Sequence, residues 1–308
     1  MLEVKNLTKA YSVGPFGRER FYAVDNVSFD VQDSEIVSLI GESGSGKTTI
    51  GKMILRLTKP TSGEIVFNGL AVSTIKNIKE YYRHVQGVFQ DPFSSYNPIF
   101  KIDRVFDMVR EEFYPTETQQ SWRQRVVKVI EDIGLNPTEV LNKFPHQLSG
   151  GQLQRLLIAR SLLMETKFLV ADEIISMLDA STRIDVLNSL IKLKEKGLSV
   201  LFITHDLSLG YYVSDKTIIL YRGSMMEYGD TVKVFKNPQH PYTKMLLASV
   251  PTVHQKWEKS TISLHGREVP KGYCKFYDRC PLGDEGCKNV QFVDIEENHK
   301  VACVKVQK

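Results

Sequence analysis

The stretch Gly41-Glu42-Ser43-Gly44-Ser45-Gly46-Lys47-Thr48-Thr49 has the residue types and spacing needed to grip a polyphosphate. It fits G-x-x-x-x-G-K-[ST], in which glycines let backbone N–H groups turn inward around phosphate oxygens. A helix opening at Lys47 adds the partial positive charge of its N-terminus. Lys47 is expected to reach the β and γ phosphates, and Thr48 to hold Mg²⁺. Asp172 closes an apolar run and suits Mg²⁺ ligation, directly or through water. Glu173, beside it, can polarise an attacking water as a general base. Gln90 can hydrogen-bond both Mg²⁺ and water, and His205 can contact a γ-phosphate. Each of these two alone would read as an ordinary loop glutamine or a satisfied structural histidine; company gives them weight. Leu148-Ser149-Gly150-Gly151-Gln152 supplies a second anion-binding pattern. Ser149 can cap the helix that follows, and the two glycines leave N–H groups open at its positive end. A plain, well-capped helix is the alternative for that pentapeptide.

Strands must deliver these groups to a common level. Ile36–Ile40, Phe168–Ala171 and Leu198–Ile203 are continuously apolar, as strands buried on both faces should be. Val85–Phe89 is a fourth β-rich run. In open parallel sheets, ligands bind outside the carboxyl ends of the strands. Here those ends are the glycine loop, Gln90, Asp172-Glu173 and Thr204-His205-Asp206. Residues 2–12 and 22–31 predict strands of an antiparallel layer, separated by a basic, glycine-containing loop over 13–21. From about 93 to 165 apolar residues recur three and four apart, predicting a helical insertion. Two further strands are expected at Lys216–Tyr221 and Met225–Tyr228, and the α/β core is expected to end near 230. The fold class is thus α/β, a P-loop NTPase core with an antiparallel β layer, an inserted helical subdomain and a small cysteine-containing C-terminal extension. In domains this reads as 1–230 for nucleotide binding and 231–308 for the extension.

The chain has 308 residues, 42% apolar and 25% charged, with a formal net charge of +4. This is a globular composition. The small charge gives no support for a nucleic-acid partner, which would call for a clustered basic face. There is no signal-peptide pattern and no uninterrupted apolar segment near the roughly 18 residues of a spanning helix. A cytosolic or peripheral location follows as the expectation. Cys274, Cys280, Cys287 and Cys303 all fall in the last 35 residues, spaced C-x5-C, C-x6-C and C-x15-C. Such clustering suggests a local metal module rather than disulfides. The spacing is not the C-x2-C knuckle of most structural zinc sites. Cys280-Pro281 resembles the Cys-Pro of ferredoxin-type ligands. Four thiolates, with His299 nearby, could hold an iron–sulfur cluster; zinc and unligated thiols are the alternatives.

With these residues assembled, the chain resembles the ATPase subunit of an ATP-binding cassette (ABC) transporter over nearly its whole length. Gly41–Thr48 matches the Walker A motif, Gln90 the Q-loop and Leu148–Gln152 the signature. Phe168–Glu173 matches the Walker B motif with its catalytic glutamate, Asp179 the D-loop and His205 the switch histidine. Tyr11 matches the aromatic that stacks on adenine in this family. Phe89–Pro98 and Asn237-Pro238-Gln239-His240-Pro241-Tyr242-Thr243 resemble segments of oligopeptide/dipeptide importers. The loop before Tyr22-Ala23-Val24-Asp25 looks like that of the second of their two paired ATPase subunits. Ile174 departs from the pattern, standing where the family usually has proline.

The resemblance implies ATP and Mg²⁺ as cofactors, with Thr48, Gln90 and Asp172 on the metal. It implies nucleotide contacts from Tyr11, Gly41, Ser43, Gly44, Ser45, Gly46, Lys47, Thr48, Thr49 and Gln90. Ser149, Gly150, Gly151, Gln152 and Asp179 would serve the partner's nucleotide. Lys47, Gln90, Glu173 and His205 would be catalytic. A [4Fe–4S] cluster on the four cysteines is also implied. So are a different but related second ATPase subunit, two transmembrane permease subunits and an extracytoplasmic binding protein, with this chain peripheral on the cytoplasmic face of the membrane. The transported substrate would be an oligopeptide or dipeptide, or an oligosaccharide as in some members. A soluble ABC ATPase of iron–sulfur assembly type is the rival reading.

Overall fold

The computed structural model describes residues 1–14, 19–250, 269–270 and 272–306. The loop predicted over 13–21 falls partly outside them, at 15–18. In chain order the first strands are β1 (Leu2–Val13), β2 (Glu19–Val31) and β3 (Ile36–Ile40), followed by helix α1 (Lys47–Ile54). Next come β4 (Ser62–Phe67), β5 (Leu70–Ala71), α2 (Ile78–His84) and β6 (Val85–Val88). The helical stretch holds α3 (Asp103–Phe113), α4 (Gln119–Asp132), α5 (Pro137–Val140) and α6 (Gly150–Leu162). Strands return at β7 (Phe168–Asp172), β8 (Ser199–Thr204), β9 (Lys216–Tyr221) and β10 (Ser224–Asp230), with α7 (Ala180–Glu195) and α8 (Leu207–Val213) between them. The C-terminal part adds α9 (Thr231–Lys236), α10 (Pro241–Ala248), β11 (Val293–Glu296) and β12 (His299–Val301).

The chain divides into two compact units. One comprises Met1, Val31–Ile36 and Phe67–Phe202. In it β6 runs parallel to β7, Val85 opposite Phe168 through Val88 opposite Ala171, and β8 is the next strand beyond β7. Every residue of β7 and of β8 is buried, which explains their unbroken apolar runs. Helices α3 to α6 form the insertion expected over 93–165. α4 buries Trp122, Val126 and Ile130, a stripe four residues apart. Each such side chain contributes roughly 1.5–3 kcal/mol on burial. α6 is buried almost all round, including Leu153, Leu156, Leu157, Ile158 and Ala159. Its periodicity is correspondingly weak.

The other unit comprises Leu2–Asp30, Val37–Val66 and Ile203–Lys308. One of its sheets has the order β2-β1-β4. The other runs β11-β12-β10-β9-β3. β3 and β9 are parallel, whereas β9 pairs antiparallel with β10. Their connection is a two-residue turn, Arg222 and Gly223, both at positive φ (44° and 83°). That conformation fits the right-handed twist of the hairpin. β12 then pairs antiparallel with β10, Glu227 opposite Val301, and β11 pairs with β12. The sheet therefore continues past 230 with strands from the far end of the chain. β12 spans only three residues, too short for periodicity to reveal. Among the described residues no helix is long and apolar enough to cross a membrane.

Candidate nucleotide site and cysteine pocket

The glycine loop lies between β3 and α1, as the motif requires. Gly46, at φ 102°, is the N-cap of α1. A Cβ there would stand 2.2 Å from the Ala23 carbonyl oxygen, and one on Gly41 would stand 2.1 Å from that of Leu220. Both positions exclude side chains because the loop packs there directly against the chain's own backbone. Lys47 is buried at 5% exposure. Its Nζ donates to the carbonyl oxygens of Gly41 (2.8 Å) and Glu42 (3.0 Å). The Ser45 carbonyl accepts from the Gly223 N–H at 2.9 Å, so the β9–β10 turn braces the loop. Ser43, Gly44 and Thr48 are exposed. Tyr11 is exposed near the end of β1, with Lys9 Nζ 5.0 Å from its ring centre, and an aromatic face is thus available for stacking. His205 follows β8 and is exposed; Asp206 behind it caps α8 by accepting from the N–H groups of Ser208 (2.9 Å) and Leu209 (3.2 Å).

The first unit carries the other predicted groups. Asp172 is the last residue of β7 and is buried; Glu173 follows it, partly exposed. Glu173 adopts a left-handed backbone, φ 51°. Its carbonyl accepts from the Ser176 N–H (3.1 Å) and Ser176 Oγ (2.9 Å), closing a turn. Ile174 and Ile175 are buried within that turn, and Leu178 is buried just beyond it. Asp179 caps α7: the Thr182 N–H donates to it at 3.0 Å, and the hydroxyls of Ser181 (2.6 Å) and Thr182 (2.7 Å) do the same. The Ser181 hydroxyl leads these bonds in holding its carboxyl far below the usual carboxylate range. Ser149 caps α6 through a reciprocal pair: Gln152 N–H to Ser149 Oγ (3.2 Å) and Ser149 N–H to Gln152 Oε1 (2.9 Å). Gly151 lies so close to α7 that a Cβ would stand 2.1 Å from Thr182 Cγ2. Helices α6 and α7 are therefore packed backbone to side chain. Gln90 is exposed just beyond β6.

Three residues supporting this half escaped the sequence reading. Gln154, fully buried, donates to the Phe89 carbonyl (3.2 Å), and Arg160 donates to that of Gly87 (3.3 Å). Both fix the strand end that presents Gln90. Arg183 donates to the carbonyls of Leu178 (2.7 Å) and Ser176 (3.3 Å), tying down the D-loop. The available signal was a glutamine and an arginine on a helix whose other positions are mostly apolar.

In the second unit, Cys274, Cys280, Cys287 and Cys303 line one pocket with His240, Val290 and Ala302. None is in a disulfide. Burial pushes the Cys274 thiol up to about 11 and raises Cys280 as well. Metal binding at these positions would require the thiolate forms. No three His, Cys, Asp or Glu side chains among the described residues gather as they would around a single metal ion. The histidine of the pocket is His240, not the His299 suggested by the sequence. His299 is fully buried, its Nε2 2.8 Å from Glu227 Oε1. Glu227, itself fully buried, also accepts from the N–H groups of Gln239 (2.8 Å) and His240 (2.9 Å). Three partners offset the cost of burying its charge. Phe276 is buried against Tyr221 and Tyr242, so the segment carries more apolar core than its composition suggested.

His240 Nδ1 accepts from the Tyr242 N–H at 3.0 Å, and Nε2 lies 3.8 Å from Cys274 Sγ. Burial lowers the His240 pKa from 6.5 to about 4. A depressed histidine contributes stability above its unfolded pKa, and that contribution is lost as pH falls. The window here is 6.5 down to about 4, worth on the order of 3 kcal/mol once fully traversed. We expect thermal stability to fall less steeply across that window in His240→Gln than in the unsubstituted protein, measured by calorimetry. Parallel slopes would remove His240 as the source.

A phosphate loop opening a helix, an Asp-Glu pair ending a buried strand and a Ser-capped Gly-Gly helix together define the class: an ATP-binding cassette. Residues 24–176 match the family model described as ABC transporter, and residues 226–287 match that of the oligopeptide/dipeptide transporter C-terminal region. The chain belongs to the ATP-binding subunits of ABC transporters, of the oligopeptide/dipeptide importer type, and is accordingly an ATPase. It is 37% identical to the oligopeptide transport ATP-binding protein OppF of Bacillus subtilis, over 100% of this chain and 97% of that one. It is also 37% identical to OppF of Haemophilus influenzae, over 92% and 89% of the two chains. Among solved structures it is similar to a dimeric post-hydrolysis state of the ATP-binding cassette MJ0796 bound to ADP and Pi. There the TM-score is 0.67 at 29% identity, covering 75% of this chain and 99% of that one.

Proposed function

We propose that this chain is the ATP-hydrolysing subunit of an importer for oligopeptides or dipeptides. The observation that carries this reading is similarity along the whole length to a peptide-transport ATPase, with a separate match of the C-terminal region. Those names favour peptides over oligosaccharides. In this reading Tyr11 stacks on the adenine, and the loop from Gly41 to Thr49 cradles the phosphates. Lys47 and His205 stabilise charge on the transferring γ-phosphate, and Glu173 removes a proton from the attacking water. Thr48, Gln90 and Asp172 are the oxygen donors suited to Mg²⁺, which when bound neutralises phosphate charge. The Ser149 helix end and Asp179 serve the nucleotide of a paired ATPase subunit, a related chain rather than a second copy. Phe93, Ile99, Phe100 and Met108, large and exposed beyond Gln90, offer an apolar surface for a permease subunit on the cytoplasmic side.

The four cysteines are proposed to hold a [4Fe–4S] cluster. Four cysteines lining one pocket supply the thiolate set that such a cluster takes, and the Cys280-Pro281 pair favours it over zinc. Bound there, it would staple a segment with little sheet or helix of its own.

Purification in mild detergent tests the assembly. Two permease polypeptides and a related ATPase should accompany the chain, and binding protein loaded with peptide should stimulate hydrolysis. Recovery without membrane subunits, or stimulation by oligosaccharide but not peptide, overturns the reading. Anaerobic preparations should contain iron and acid-labile sulfide in equal amounts; zinc alone, or no metal, overturns the cluster.

A further inference from the structure

Within the second unit the C-terminal segment reaches back to the phosphate loop at Glu42. The Glu42 N–H donates to the Tyr242 hydroxyl at 3.2 Å. The Glu42 carboxylate accepts from Arg279 Nη1 at 3.0 and 3.1 Å. Arg279 also donates to the Tyr221 hydroxyl at 3.5 Å, and its side chain is only 22% exposed. Both residues are held by packed neighbours. Tyr242 is fully buried, its ring centre 4.5 Å from that of Tyr221 and 5.3 Å from that of Phe276. Arg279 directly precedes Cys280, and Tyr242 follows His240 by two residues; Cys280 and His240 both line the cysteine pocket. On the other side, the Glu42 carbonyl is one of the two oxygens that hold Lys47 Nζ. A continuous path of hydrogen bonds and packed rings thus joins the cysteine segment to the lysine of the loop.

We propose that Arg279 and Tyr242 are positioning residues for the phosphate loop. They hold Glu42 from its carboxylate and its N–H, and so set the loop backbone that Lys47 and the nucleotide phosphates share. The His-Pro-Tyr turn then has a mechanical task, carrying the order of the cysteine segment to the nucleotide site. This rests on the reading of Gly41–Thr49 as the nucleotide loop.

The test is a double-variant cycle on the full chain, titrating a non-hydrolysable MgATP analogue. Arg279→Gln and Glu42→Gln should each weaken binding about three- to tenfold, and the double variant should be no weaker than either single one. Tyr242→Phe, which keeps the packed ring, should weaken it about two- to tenfold. In the assembled complex these losses should appear in KM with kcat nearly unchanged. Exchanging the pair, Glu42→Arg with Arg279→Glu, should recover at least half of the lost binding free energy. Additive losses in the double variant, or wild-type affinity in variants that melt as the unsubstituted protein does, overturn the proposal. An unsubstituted chain that binds no nucleotide overturns instead the reading of the loop.

Discussion

Replacing Glu173 with glutamine should leave a protein that binds MgATP but turns it over on the order of 10²- to 10⁴-fold more slowly. The residue stands one position beyond a strand in which every side chain is buried. Its backbone is held left-handed at φ 51° by two bonds from Ser176. For a residue with a Cβ that conformation costs about 1–2 kcal/mol. Strain of this kind persists where the surroundings over-determine it, often at functional positions. Glutamine keeps the size and the hydrogen-bonding reach of the side chain while removing its basicity. The phosphate loop belongs to a different stretch of chain and is untouched, so affinity should hold. Phosphate release by the assembled complex, measured beside a nucleotide titration, separates the two effects. Turnover within a few-fold of the unsubstituted rate would rule out Glu173 as the base.

Lys47→Met should act on binding itself, weakening MgATP affinity on the order of 10²-fold, since hydrogen bonds to a charged group are worth about 1.5–3 kcal/mol each. Two contributions are lost together. One is the cation proposed to meet the β and γ phosphates. The other is the clip across the loop, from Nζ to the carbonyls of Gly41 and Glu42. Methionine preserves the length and apolar stem of a side chain that is 5% exposed. Packing loss should therefore be small, whereas loss of the clip should lower the melting temperature even without nucleotide. Calorimetric titration reads the affinity directly. An affinity within threefold of the unsubstituted value would remove Lys47 from phosphate binding.

The candidate nucleotide residues were legible in the sequence because each group of them is local. The glycine loop, the Ser149 cap and the Asp172-Glu173 pair are each contiguous, and each sits at the end of an element with strong apolar patterning. The strands β3, β7 and β8 betray themselves by being buried on both faces. What stayed hidden depends on contacts distant in sequence. Gln154 and Arg160 gain their meaning from carbonyls more than sixty residues away. Glu227 reads as an unremarkable acid in a strand, yet it gathers Gln239, His240 and His299. His299 was associated with the cysteines by closeness in sequence, whereas its short strand turns it toward Glu227. The extension of the sheet beyond 230 rests on a three-residue strand that no periodicity can announce.

That short strand alters what can be cut from the chain. A cassette ended after Asp230 would leave β10 as an open edge, its ladder groups from Glu227 to Gly229 stripped of β12. An unpaired edge beside buried methionines, Met225 and Met226, is a template for pairing with another molecule. The same cut would strand the Glu227 carboxylate without Gln239, His240 and His299. The C-terminal segment is thus a built-in guard against aggregation as well as an attachment, and an excised nucleotide-binding domain of this protein would self-associate.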